Sequence, residues 1–184
     1  SLIWLLDKCK TSMGSRTLKN WLSSPLKDEQ RINQRLDIIE KLNNEFILRS
    51  DLLKSLYEVY DLERLCGKVT CGNFNARDAL QIKKSLSVLP ELSSIISKLG
   101  INIKINTHEE LYNLLEKSIY EEPPITLKEG YLIKEGYNSE LDELKKIRSG
   151  GKDFIAGLEQ EERERTGIQN LKVGYNKVFG YYIE

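Results

Sequence analysis

Between Asp28 and Ile119 the apolar residues return at every third or fourth position, and prolines, glycines and capping residues cut the run into pieces of helix length. That spacing lines one face of a helix and cannot line one face of a strand, where the period is two. Upstream, Thr11 or Ser12 caps a helix carrying Leu18, Trp21 and Leu22. Pro25 stops it and pushes Ser24 toward extended geometry. Asp28 caps a second helix, whose Ile32, Leu36, Ile39 and Leu42 form one buried stripe. Residues 46–65 continue as helix, with Leu52, Leu53, Leu56 and Leu62 inside. Residues 66–75 hold two glycines and two asparagines and read as a loop. Helix returns over 76–89, then again from Pro90, which a first turn tolerates, to Gly100. Thr107 with Glu110 makes a capping box for a helix through Leu111, Leu114, Leu115 and Ile119, and Pro123-Pro124 ends the series.

The character then changes. Residues 125–137 alternate short apolar pieces with Glu129-Gly130 and Glu135-Gly136, a pattern that predicts a small hairpin. From Asn138 or Ser139 helical spacing resumes through Leu141, Leu144 and Ile147, and it stays in phase across Gly150-Gly151 to Phe154, Ile155 and Leu158. One long helix with a weak point follows, since each glycine costs about 1 kcal/mol relative to alanine. From Asn138 to Arg165 it would span roughly 40 Å at about 1.5 Å per residue. After Leu158 the helix has no apolar residue to bury, and Glu159 with Arg163 and Glu161 with Arg165 stand at i,i+4 as on an exposed helix. Such an end projects from the core until Thr166-Gly167 terminates it. Leu171 to Glu184 is strand by composition, with a turn at Asn176-Lys177. The expected fold is mainly α: a multi-helix core over 1–137, then a long projecting helical arm over 138–184 that ends in a partial antiparallel β element.

Composition narrows the function classes. Among 184 residues, 28 Lys and Arg balance 28 Asp and Glu. Nothing here demands a tight nucleic-acid binder, which usually carries a basic excess, although a local patch remains open. Cys9, Cys66 and Cys71 are odd in number and no signal peptide precedes them, which argues for free thiols in a reducing compartment. No apolar run approaches the ~20 residues of a membrane span. The expected location is cytoplasmic. Both ends enter patterned sequence abruptly, so the chain reads as a piece of a longer protein.

Two stretches carry a family signature. Thr11-Ser-Met-Gly-Ser-Arg-Thr-Leu-Lys-Asn-Trp-Leu-Ser-Ser-Pro-Leu26, followed by Arg31-Ile-Asn-Gln-Arg-Leu-Asp-Ile-Ile39, resembles the opening of the core domain of MutS proteins. Glu161-Glu-Arg-Glu-Arg-Thr-Gly167 with Leu171-Lys-Val-Gly-Tyr-Asn-Lys-Val-Phe-Gly-Tyr-Tyr-Ile183 resembles the rising arm and first strands of the MutS clamp. Tyr60-Asp-Leu-Glu-Arg64 and Glu135-Gly-Tyr-Asn-Ser-Glu-Leu-Asp142 fall between them in the family's order. The resemblance covers essentially the whole chain.

It implies a core domain that links an ATPase to a clamp, and a clamp that closes over duplex DNA and touches its backbone without reading sequence. For the parent protein it implies ATP and Mg as cofactors, mismatched double-stranded DNA and a MutL-type protein as partners, and a homodimer. The family's mismatch-reading Phe-x-Glu element lies N-terminal to this region and its Walker A loop C-terminal. This segment is therefore expected to bind no cofactor, to hydrolyse no ATP and to read no mismatch. Some MutS paralogues act in recombination instead, and a free-standing helical interaction module or a small helical enzyme are the readings from other classes.

Each candidate site has a plain structural counterpart. Gly150-Gly151-Lys152-Asp153 lacks the first glycine and the Ser or Thr of a phosphate loop and reads as a helix kink. Cys66 and Cys71 lack a second pair of zinc ligands. His108 has no nucleophile in a motif beside it, and Glu109-Glu110 and Glu121-Glu122 read as solvated helix faces. Lys172, Tyr175, Asn176 and Lys177, on the predicted β element, are the candidates for DNA-backbone contact. Arg16 is expected to cap a helix or to form an ion pair fixing how the first two helices meet, a task suited to its fork of donors.

Overall fold

The computed structural model describes residues 2–176, 178 and 180–184, and the side chains of these apart from 147–149 and 152–154. The fold is mainly helical and closes on a two-stranded antiparallel sheet. It divides into two compact units, Ser1–Lys134 and Glu135–Glu184.

In the first unit, α1 (Leu2–Leu6) and α2 (Ser12–Ser23) precede α3 (Glu29–Asn44) and α4 (Phe46–Tyr57). Thr11 caps α2 by accepting from the Gly14 N–H, and Asp28 caps α3 by accepting from the Arg31 N–H. The next helix, α5 (Leu62–Thr70), departs from expectation at both ends. The carboxylate of Asp61 accepts from the Arg64 N–H and starts a fresh helix, so 46–65 is two helices rather than one. That helix then runs through Gly67 to Thr70, leaving only 71–75 of the expected ten-residue loop.

α6 (Ala76–Ser87) opens with a capping box formed by Asn75 and Asp78, and α7 (Leu89–Lys98) carries Pro90 in its first turn. Asp78 is buried, and its charge is met by Lys68. α8 (Glu109–Ser118) lacks the expected Thr107–Glu110 box. His108 occupies the N-cap in a left-handed conformation, φ 48°, with no side-chain cap, and its N–H donates to Asn106 Oδ1. Thr107 therefore lies one position ahead of the cap, and Glu110 falls one short of the third helical position that a box on His108 would need.

Residues 125–137 do not form their own hairpin. Thr126 and Glu129 close a capping box around a 3-10 turn, Leu127–Glu129, and Ile133 bridges back to Ile119 at the end of α8. The Tyr120 N–H donates to Leu132 O, and the Lys134 N–H to Ser118 O. The segment thus pairs with the end of α8 rather than with itself.

The core lies where α3 and α4 meet α7. Ile95, Leu99 and Ile101 are buried there, with Ile38, Leu42, Leu48 and Leu52 packed on them. Leu65, Ala79, Leu86 and Leu92 bury the contacts of α5, α6 and α7. On α3 the inward face is Ile38 and Leu42, one turn apart. The expected buried stripe is not formed: Ile32, Leu36 and Ile39 are 37%, 54% and 52% exposed, on a side that nothing among the described residues covers.

Ser85 is 0% exposed and holds two elements together. Its hydroxyl donates to Gln81 O at 2.8 Å and accepts from the Tyr60 N–H at 2.9 Å, tying the segment between α4 and α5 to α6. Ser85→Ala leaves that part-buried amide without its partner. It should cost about 1–3 kcal/mol, read as a lower urea midpoint with an unchanged helical circular-dichroism spectrum. An unchanged midpoint would mean water reaches the Tyr60 amide.

Candidate nucleic-acid interface

The second unit begins with α9 (Ser139–Thr166), whose N-cap Asn138 accepts from the Leu141 N–H. The helix is continuous through Gly150 and Gly151, as the apolar phase predicts. Both glycines therefore belong to a helix interior rather than to a phosphate-binding loop, whose backbone N–H groups must be free to face an anion. The Gly150-Gly151 stretch does not fit the phosphates of ATP. Gly167, φ 71°, ends the helix in the left-handed region, its N–H donating to Arg163 O.

Near its end the helix is laced by ion pairs. Glu159 faces Arg163 at 3.4 Å, as the spacing predicts. Arg165 instead takes Glu162, at 2.6 Å and three residues away, rather than Glu161. The Glu162 carboxylate holds the Arg165 guanidinium above its usual range.

β1 (Val173–Asn176) and β2 (Gly180–Ile183) pair with Val173 opposite Ile183 and Asn176 opposite Gly180. Alternation along the strand sorts the side chains onto two faces. Tyr175 lies on one, its ring centroid 5.1 Å from that of its cross-strand partner Tyr181. Lys172, Gly174 and Asn176 lie on the other. The candidate contacts thus do not share a face. Lys172 is exposed and in no ion pair among the described residues. Asn176 accepts from the Val178 N–H at 2.8 Å, so its side-chain oxygen serves the turn. Lys177 lies outside the described residues.

Tyr182 is the neighbour that the sequence reading missed. A Cβ at Gly174 would stand 2.6 Å from its Cζ, so the ring lies across the bare backbone of β1. A glycine in a strand opposite an aromatic is the signal that could have found it.

A long helix followed six residues later by a small sheet is the order the family resemblance implies. Residues 1–173 match the family described as MutS domain III. The chain belongs to the MutS domain III family. It is 50% identical over 190 aligned positions to the DNA mismatch repair protein MutS of Bacillus pumilus (strain SAFR-032), covering 100% of this chain and 22% of that protein. The proteins of the same name from Bacillus subtilis (strain 168) and Clostridium tetani (strain Massachusetts / E88) are 50% and 46% identical, with the same coverage of each chain. This domain III chain therefore spans about a fifth of the length of the curated relatives it matches.

Elsewhere in this MutS domain III the candidate groups are plainly placed. Cys9, Cys66 and Cys71 are exposed free thiols, and no group of metal-ligating side chains occurs among the described residues. Glu121 pairs with Lys134 at 2.6 Å, and Glu116 with Lys83 at 2.8 Å. No helix among the described residues is long and apolar enough to cross a membrane.

Arg16 makes the most elaborate polar contact of the first unit. Its Nη1 and Nη2 donate to both oxygens of Asp61 at 2.7 Å, and its Nε and Nη2 donate to Glu63 at 3.1 and 2.6 Å. It joins α2 to the start of α5, 45 residues away, rather than α2 to α3, whose own link is the Arg35 guanidinium 3.5 Å over the Trp21 ring. The fork of donors and two acceptors on one helix start give this exposed pair the fixed geometry most surface pairs lack.

The Arg16 hydrogen bonds hold the Asp61 carboxyl below its ordinary value of 3.8. A lowered folded pKa adds stability that is fully present above the unfolded value and is lost as pH falls through the folded one. Arg16→Gln should therefore unfold at lower urea than the parent chain at neutral pH, and the gap should close below pH 3.8. A gap that persists into strong acid would show that Asp61 is not the group that Arg16 serves.

Proposed function

We propose that this chain is the helical core and rising arm that carry the DNA clamp of a mismatch repair protein. In this reading it links the ATPase to the clamp and touches the duplex backbone without reading bases. What carries the reading is the domain III match over residues 1–173 followed directly by the paired strands β1 and β2 at the end of α9. Lys172, on the face of β1 that also presents Gly174, Asn176 and the Tyr182 ring, is the leading phosphate contact. Lys177 is the second cation of the same segment. Tyr175, on the opposite face, is a secondary candidate. The boundary between core and arm falls near 137. Gly150 and Gly151 are the weak point of the arm, each with open space where a Cβ would stand.

The longer protein would be a cytoplasmic DNA-dependent ATPase using ATP and Mg. It would act as a homodimer on mismatched duplex DNA and recruit a MutL-type protein. This segment would be no enzyme.

Two lysines on a chain of zero net charge predict weak duplex binding that falls off with salt. A fluorescence titration at low and moderate salt should show it, equal for matched and mismatched duplexes. Replacing Lys172 and Lys177 by alanine should flatten the logarithmic salt slope by about one unit per lost contact. Tight binding with mismatch preference would overturn the assignment of recognition to other parts of the protein.

A further inference from the structure

Among the described residues the sheet of the second unit has two strands, yet the outer edge of β1 is not bare. Lys172 and Glu184 exchange both backbone hydrogen bonds, at 2.7 and 2.9 Å, so Lys172 turns its backbone toward β2. In an antiparallel ladder the residues flanking such a pair turn theirs outward. Among the outward groups are the Leu171 carbonyl and the Val173 N–H. The Val173 N–H donates to Glu159 Oε1 at 2.8 Å. The Leu171 oxygen accepts from Arg163 Nε at 2.7 Å. Glu159 and Arg163 stand one turn apart on α9, with Glu159 Oε2 3.4 Å from Arg163 Nη2. A carboxylate takes the place of a neighbouring strand's carbonyl, and a guanidinium the place of its N–H.

We propose that Glu159 and Arg163 are positioning residues that replace a third strand along the start of β1 and fix the angle at which the sheet leaves α9. The pair is more than helix decoration. Its internal contact, at 3.4 Å, is longer than either bond it makes to the strand. Leu171, 5% exposed, is the buried apolar residue of this stretch. Apolar burial is non-directional, whereas two directional bonds from a carboxylate and a guanidinium restrict the angle of the strand. They also close this stretch of edge to pairing with another chain. The consequence for duplex contact rests on the clamp reading above. The latch itself does not.

The test uses the full chain and its Glu159→Ala, Glu159→Gln and Arg163→Ala variants. Amide exchange and residual dipolar couplings are read residue by residue by NMR, beside a duplex titration. Glu159→Ala should speed exchange at Val173 by roughly tenfold or more, the scale of one lost charge-assisted hydrogen bond. The couplings of β1 and β2 should shift relative to those of α9, while the Lys172 and Glu184 amides stay protected. Glu159→Gln keeps an oxygen that can accept, and should restore most of the Val173 protection. Arg163→Ala should reorient the sheet without exposing Val173 to the same degree. Unchanged exchange and couplings in Glu159→Ala would overturn the proposal. So would loss of Lys172 and Glu184 protection in both Glu159 variants, because the pair would then be needed to form the sheet rather than to aim it. Duplex affinity should fall severalfold in Glu159→Ala with both lysines intact. Equal affinity despite a reoriented sheet would overturn the link to DNA. If the NMR changes appear but the unmodified chain binds no duplex, the clamp reading fails and the latch stands.

Discussion

Two strands of four residues bury too little apolar surface to hold together in water. The β1–β2 pair must therefore be fastened to something, and the only element of its own unit with the length to do so is α9. The fastening is mostly polar. One leucine is buried at the junction, and a carboxylate and a guanidinium from the helix meet the strand's outward backbone groups. Everything proposed for the sheet depends on that junction, because a lysine on a freely pivoting hairpin presents no defined surface to a duplex. The same junction explains why the helix can be so polar after Leu158. Its charges are spent on the strand and on one another rather than on a buried neighbour.

The first unit is tied in a comparable way. Arg16 and the Asp61–Glu63 pair belong to two separate stretches of the family signature, and the structure brings them into contact. One arginine thereby holds α2 against the start of α5, while Ser85 holds the segment leading into α5 against α6. Both ties converge on the short connection between Tyr57 and Leu62. That connection is where periodicity predicts uninterrupted helix.

Local signals were legible wherever a single residue decides the outcome. Asp28 and Asn138 cap where the sequence places them, Gly167 stops α9, and the apolar phase carries that helix through two glycines. Two of the failures are places where a more distant group competes, whereas the Thr107 box is lost locally to a cap at His108. Asp61 outbids helix continuation because its carboxylate serves both the Arg64 N–H and Arg16. The predicted hairpin over 125–137 gives way to a bridge between Ile133 and Ile119. The stripe on α3 fails apart from Leu42, since periodicity says which residues share a face but not whether a neighbour exists to cover it. At the candidate interface, Lys172 and Tyr175 were readable as strand residues. Their placement on opposite faces follows from the register. The Tyr182 ring over Gly174, and the Glu159–Arg163 grip on β1, join residues several positions apart through side-chain geometry that no spacing rule encodes.

The glycine pair inside α9 has a mechanical corollary. From Gly151 to Thr166 the helix rises roughly 24 Å, at about 1.5 Å per residue. A tilt of about 5° at that point would sweep the far end through roughly 2 Å, the difference between a phosphate in van der Waals reach of an ammonium group and one separated from it by a water molecule. Because the strands are clasped to the last turns beyond the glycines, they would ride with that sweep as one piece. In the proposed clamp, small angular changes near the middle of the rod would thereby become contact or release at its tip.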